Sequence, residues 1–188
     1  MPALKSLPAH YDTLLQMDLE NNRRLRREIG FSAVIIALIM GFYGNSLRPI
    51  SRYCRSSLDQ AAYVFIGVIL YMVLHEVIHG IFMWAFSGQK AHLGIRCGLS
   101  YARSDMIFNR LQYTVIALAP IVIWGVILGV LCHRYIRTDW FWTFYLIEII
   151  NICGAASDVY VVFRFLKLPH DILVRDSGTS ITVYAKAS

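Results

Sequence analysis

The sequence predicts a mainly α fold: a polytopic membrane helical bundle of about four transmembrane helices, with a short β-hairpin-like segment after the second span. Three observations carry this. The chain of 188 residues is 57% hydrophobic and 16% charged, with a mean hydropathy of +0.52, too apolar for an ordinary soluble domain. Its apolar residues gather into four long runs. Its charged residues gather at the N-terminus and between those runs, as in polytopic membrane proteins.

The elements follow in order. Residues 1–28 are polar, and Leu14, Leu15, Met17 and Leu19 alternate with charges. This fits a short helix lying at the membrane surface, or a loosely helical tail. The basic stretch Arg23-Arg24-Leu25-Arg26-Arg27 precedes the first apolar run, and no clear small-residue cleavage site follows it. The run therefore reads as a retained first span over 29–44. Further spans fall at 61–86, 111–132 and 140–166. Each of these three supplies the ~20 helical residues that a hydrocarbon core of ~30 Å demands. Trp84, Trp140 and Trp142 sit near span ends, where amphipathic aromatics favour the interface.

Residues 89–108 are too polar to span. Leu93, Ile95, Leu99 and Tyr101 partly alternate with small or polar residues, including Gly94 and Gly98, as in two short strands joined by a turn. Residues 171–184 share that character around Ser177-Gly178. The domain plan is thus a polar segment over 1–28, a four-span core over 29–167 and a short tail over 168–188.

Charge gives orientation. Thirteen of the eighteen Lys and Arg residues fall on the side of the N-terminus. Arg48, Arg52, Arg55, Arg134 and Arg137 fall on the other. The bias predicts both termini in the cytoplasm, and the membrane expected is the cell membrane of a prokaryote. The same bias accounts for the net charge of +6 without a nucleic-acid partner. Cys54, Cys97, Cys132 and Cys153 form no CxxC pair, so neither a zinc ribbon nor a thioredoxin-type site is signalled, and no disulfide is expected. Cys153, inside an apolar run, reads as a small packing residue.

The second span contains His75-Glu76-Val77-Ile78-His79-Gly80. This is HExxH on a helix. Residues four apart project from one face about one turn apart, so both imidazoles can reach one zinc ion. Glu76, beside the first ligand, is the candidate general base for an activated water. Ionisable residues in an apolar helix are expensive and mark functional sites.

Catalytic zinc usually has three protein ligands, and the fourth span offers Glu148 and Asp158. Depth separates them. His79 stands nine residues before Gly88, and Asp158 nine before Lys167. Both helices run toward the same membrane side, so both residues lie ~13 Å inside it. Glu148 lies ~15 Å further along the helix. Asp158 is the better ligand. Asn151, Ala155 and Asp158 share a helix face by their i, i+4 and i+7 spacing. Asn151 is then a candidate to bind substrate backbone or orient a ligand, and an interhelical hydrogen bond is the competing reading. The small residues Gly154, Ala155 and Ala156 would let the helix bearing the histidines approach closely. His10, His92, His133 and His170 lack ligand spacing.

The ordered set His75-Glu76-Val77-Ile78-His79-Gly80, Gly94, Ala119-Pro120, Asn151-x-x-Gly154-x-x-x-Asp158, Leu168-Pro169 and Asp176-Ser177-Gly178 resembles the small membrane-embedded zincin peptidases. These form a domain-of-unknown-function family with a layout like that of site-2-type intramembrane proteases. The resemblance covers most of the chain after residue 60. It implies zinc at His75, His79 and Asp158, catalysis by Glu76, and a peptide or membrane-protein substrate cut within or beside the bilayer. Ala156-Ser157-Asp158-Val159 departs from the Leu-Asp-Gly of site-2 proteases, and no PDZ-like module is present.

The expected activity is zinc-dependent endoproteolysis at the membrane. Two other classes compete with it. One is a zinc-binding membrane module without proteolysis, for which Glu76 would be superfluous. The other is a small transport component whose His, Glu and Asp line a polar path.

Overall fold

The computed structural model describes residues 3–18, 21–53, 58–96, 99–178 and 180–187. The elements are β1 (Tyr11–Asp18), α1 (Arg23–Leu47), α2 (Ile50–Tyr53), α3 (Leu58–Ser87), β2 (His92–Arg96), β3 (Leu99–Arg103), β4 (Ile107–Asn109), α4 (Arg110–Arg134), α5 (Trp140–Gly154), α6 (Ala156–Phe165), β5 (Leu173–Asp176) and β6 (Ser180–Lys186).

Among the described residues, four helical segments are long and apolar enough to cross a membrane: Arg23–Leu47, Asp59–Ser87, Arg110–Arg134 and Trp140–Phe165. They coincide with the four expected spans and extend the first at both ends. Local chemistry explains the starts. Asn22 caps α1, its side chain accepting from the Leu25 N–H at 3.0 Å. Asn109 and Gln112 form a capping box at the start of α4, with reciprocal bonds of 2.9 and 3.0 Å. Gly88 ends α3 in the left-handed region at φ 68°, and its N–H returns to the Trp84 carbonyl.

The fourth span is not one helix. It breaks at Ala155, whose backbone (φ −78°, ψ 5°) closes α5 before α6 begins. Asn151 and Asp158 nevertheless both meet α3, at Tyr71 and His75, and the break puts Asp158 in the first turn of α6, where the helix dipole favours a carboxylate.

β2 and β3 pair as the expected hairpin, with Gly94 opposite Tyr101. A Cβ on Gly94 would stand 2.6 Å from the Tyr101 ring, so the bare glycine lets that ring lie across it. Cys54, Cys97 and Gly98 lie outside the described residues.

A second sheet departs from expectation. Its order is β1-β6-β5-β4, antiparallel throughout. Residues 11–18 are a strand, not a surface helix or a loose tail. Tyr11 pairs with Lys186 and Asp18 with Ser180, with an irregularity between Thr13 and Leu15. The strand character expected around Ser177-Gly178 is present: β5 and β6 pair on either side of Gly178 (φ 86°). The inner face of the sheet, including Met17, Phe108, Val174 and Val183, packs against Met83 of α3, Tyr113 and Ile116 of α4, and Val161 and Phe165 of α6. The Tyr113 hydroxyl donates to Asp176, tying α4 to β5. Burial raises the Asp176 carboxyl above the usual carboxylate range, opposed by the Tyr113 hydroxyl and the Gly178 N–H. The whole sheet thus sits at one end of the bundle.

The strand assignment separates two neighbouring residues. Met17 is 5% exposed and Leu14 47%. Met17→Ala should destabilise the detergent-solubilised protein by about 2–5 kcal/mol, whereas Leu14→Ala should stay within about 0.5 kcal/mol of wild type. Denaturant titration followed by tryptophan fluorescence would check this, and equal losses would contradict the strand.

Candidate metal centre

His75 and His79 lie one turn apart in the middle of α3, and both rings are buried. Their Nε2 atoms face each other at 3.1 Å. Asp158 reaches them from α6, its Oδ2 standing 3.5 Å from His75 Nε2 and 3.8 Å from His79 Nε2. Two ligands at ~2.0–2.1 Å from a tetrahedral zinc ion stand about 3.3 Å apart. The three separations bracket that value. Among the described residues this is the one group of three or more His, Cys, Asp or Glu side chains able to hold a metal together. Two imidazoles and a carboxylate suit zinc, so the residues present fit the ion.

Each imidazole is also held from behind. His75 Nδ1 lies 2.9 Å from the Tyr71 hydroxyl, which reaches the Asn151 carbonyl on α5 at 3.4 Å. His79 Nδ1 lies 2.8 Å from the Ile116 carbonyl on α4. Three helices therefore orient the two rings through their Nδ1 atoms, and both Nε2 atoms turn toward Asp158. Such outer partners fix the tautomer and angle of a metal-binding histidine.

Glu76 is half-buried beside the histidines, and the backbone N–H of Ala102 on β3 lies against its carboxylate. The hairpin is thereby set directly over the motif. Gly80 permits this, since a Cβ there would come within 3.2 Å of Leu93 on β2. Asp158 keeps 25% of its side chain exposed, so the cluster is open on that side.

Glu148 stands apart. Its Oε2 accepts from Asn151 Nδ2 at 3.0 Å, and its Oε1 lies against Gly125 of α4. Asn151 is fully buried, and its Nδ2 also reaches the Ile121 carbonyl at 3.5 Å. Its side chain thus bridges helices, while its carbonyl receives Tyr71. Gly154 faces Tyr71 as the close approach of α3 required. His92 lies at the surface, 3.8 Å from Asp105. His170 lies 3.4 Å from an Arg110 guanidinium nitrogen.

Tyr71, the Ile116 carbonyl and Ala102 were not anticipated. Tyr71 had a local signal, standing one turn before His75. Ala102 had none, because its approach depends on how the hairpin folds back.

Residues 68–173 match a family model described as "Putative zincin peptidase". The chain is 30% identical over 159 residues to an uncharacterised 24.7 kDa protein of the gap 5' region of Pyrococcus woesei, covering 79% of this chain and 68% of that one. No solved structure matches.

The two carboxylates of the fourth span should behave differently. Asp158→Ala should lower zinc affinity by more than the roughly 10–100-fold typical of losing an outer partner, and Glu148→Ala by less. Zinc content after dialysis against graded chelator measures both.

Proposed function

We propose that this chain, which belongs to the zincin peptidase family whose model it matches, is a zinc-dependent endopeptidase embedded in the membrane, cutting membrane or membrane-proximal polypeptides in the manner of site-2 proteases. The observation that carries this is the convergence of His75 Nε2, His79 Nε2 and Asp158 Oδ2 beside Glu76. His75, His79 and Asp158 would hold the metal. Bound there, zinc would act as a Lewis acid and lower the pKa of water.

The chain's own groups supply the rest. Glu76 accepts a proton from the attacking water at its carboxylate and returns it to the leaving amide nitrogen. Tyr71 and the Ile116 carbonyl hold the rings so that neither imidazole has to reorient. Asn151 acts as an orienting residue through its carbonyl.

The β2–β3 hairpin supports a mode of substrate capture. Extended peptides bind by adding a strand to a free sheet edge, and Ala102 brings backbone of β3 to Glu76. A substrate strand laid along β3 would present its scissile carbonyl to the metal and to Glu76. Water reaches such a site only through a polar opening, and the exposed flank of Asp158 is the candidate.

The setting is a cell membrane with both termini in the cytoplasm, as the Lys and Arg distribution favours. The sheet, the hairpin and the open side of the site would then share the cytoplasmic face. The partners are the lipid bilayer and a peptide or membrane-protein substrate.

The decisive test joins metal analysis to cleavage. Glu76→Gln should keep zinc and lose cleavage by about 10²–10⁴-fold, while His79→Ala should lose zinc as well. Folded wild-type protein that takes up no zinc would overturn the proposal. For the hairpin, proline substitutions along β3 other than at Ala102, whose N–H serves Glu76, should abolish cleavage at unchanged zinc content, and intact cleavage would dismiss strand addition.

A further inference from the structure

Resting on the zinc reading above, we infer that Pro120 is a positioning residue for His79, acting through the backbone carbonyl that it leaves unpaired. Proline in the interior of a buried helix is disfavoured, and α4 carries Pro120 near its middle. Two effects follow from its chemistry. Pro120 has no N–H, so the carbonyl four residues earlier loses its helical partner. The pyrrolidine ring also crowds that carbonyl and tilts it out of the helix. The residue four earlier is Ile116.

The Ile116 carbonyl is the group that receives His79. Nδ1 stands 2.8 Å from it, and His79 and Ile116 are 8% and 1% exposed. Water is not at hand to satisfy a carbonyl at that depth, and an unpaired one is strongly disfavoured there. Two unmet needs thus meet on one bond.

The bond also carries information. A carbonyl only accepts, so Nδ1 must hold the proton. A neutral imidazole has one ring proton, so Nε2 keeps its lone pair, and Nε2 is the atom facing His75 and Asp158. His75 is held less strictly. Its partner is the Tyr71 hydroxyl, which can donate or accept, and which is biased toward accepting only by its own reach to Asn151. Pro120 therefore selects the ligand-competent tautomer of His79 before any metal arrives. An ordinary residue at 120 would return an N–H to compete for the same carbonyl.

The test uses the full chain in detergent and the variant Pro120→Ala. Zinc affinity, read by chelator competition, should fall about 10–100-fold, the usual loss when an outer partner of a metal-binding histidine is removed. Side-chain ¹⁵N resonances of histidine in the zinc-free protein give a second readout. Wild-type His79 should carry its proton on Nδ1, and Pro120→Ala should populate the Nε2–H form. Unchanged affinity would overturn the inference. So would weaker affinity with an unchanged tautomer, which is what a merely structural proline gives. A wild-type His79 protonated on Nε2 alone, with Nδ1 bare, would overturn it even if the variant fails to fold. Wild-type protein that binds no zinc would sink the proposed function, while the wild-type tautomer would still judge Pro120 separately.

Discussion

Placing two imidazoles and two carboxylates inside an apolar helix bundle is the condition on which the rest of the structure depends. Such groups can be satisfied only by one another or by backbone that has been freed for them. The bundle meets the condition with a short-range network. Asp158 faces both Nε2 atoms, Tyr71 and the Ile116 carbonyl take the Nδ1 atoms, and Ala102 meets Glu76. Helix packing follows from these contacts. α3 has to lie against α4 to reach Ile116 and against α5 to reach Asn151, and Gly154 makes room for the second approach.

The break at Ala155 belongs to the same logic. A continuous fourth helix would carry Asp158 in its interior, where its charge gains nothing from the helix ends. Starting α6 at Ala156 places that carboxylate in a first turn, at the positive end of a helix dipole. The fold thus supports the carboxylate with a helix terminus and the two imidazoles with side-chain and backbone oxygens.

What was legible in the sequence was what is local. HExxH fixes two rings on one helical face by spacing alone, and a depth count along two helices was enough to prefer Asp158 to Glu148. The four spans and the hairpin were readable for the same reason. The strand at residues 11–18 was not, because its partner lies at 180–186 and its leucines and methionine suit a helix face equally well. The break at Ala155 was hidden by good helix formers on both sides. Tyr71 and Ala102 acquire their roles only from packing, which no spacing rule reports.

The pairing of β1 with β6 has a consequence for the order in which the molecule is assembled. β1 has no partner until β6 has been made, because four long apolar helical segments separate Asp18 from Ser180. Contacts of such sequence separation form late. The helices can form and pack while β1 waits, and β6 then closes the sheet over Met83, Ile116 and Val161, the residues flanking the histidine and aspartate turns. The end of the bundle that holds the reactive groups is therefore the last to be finished.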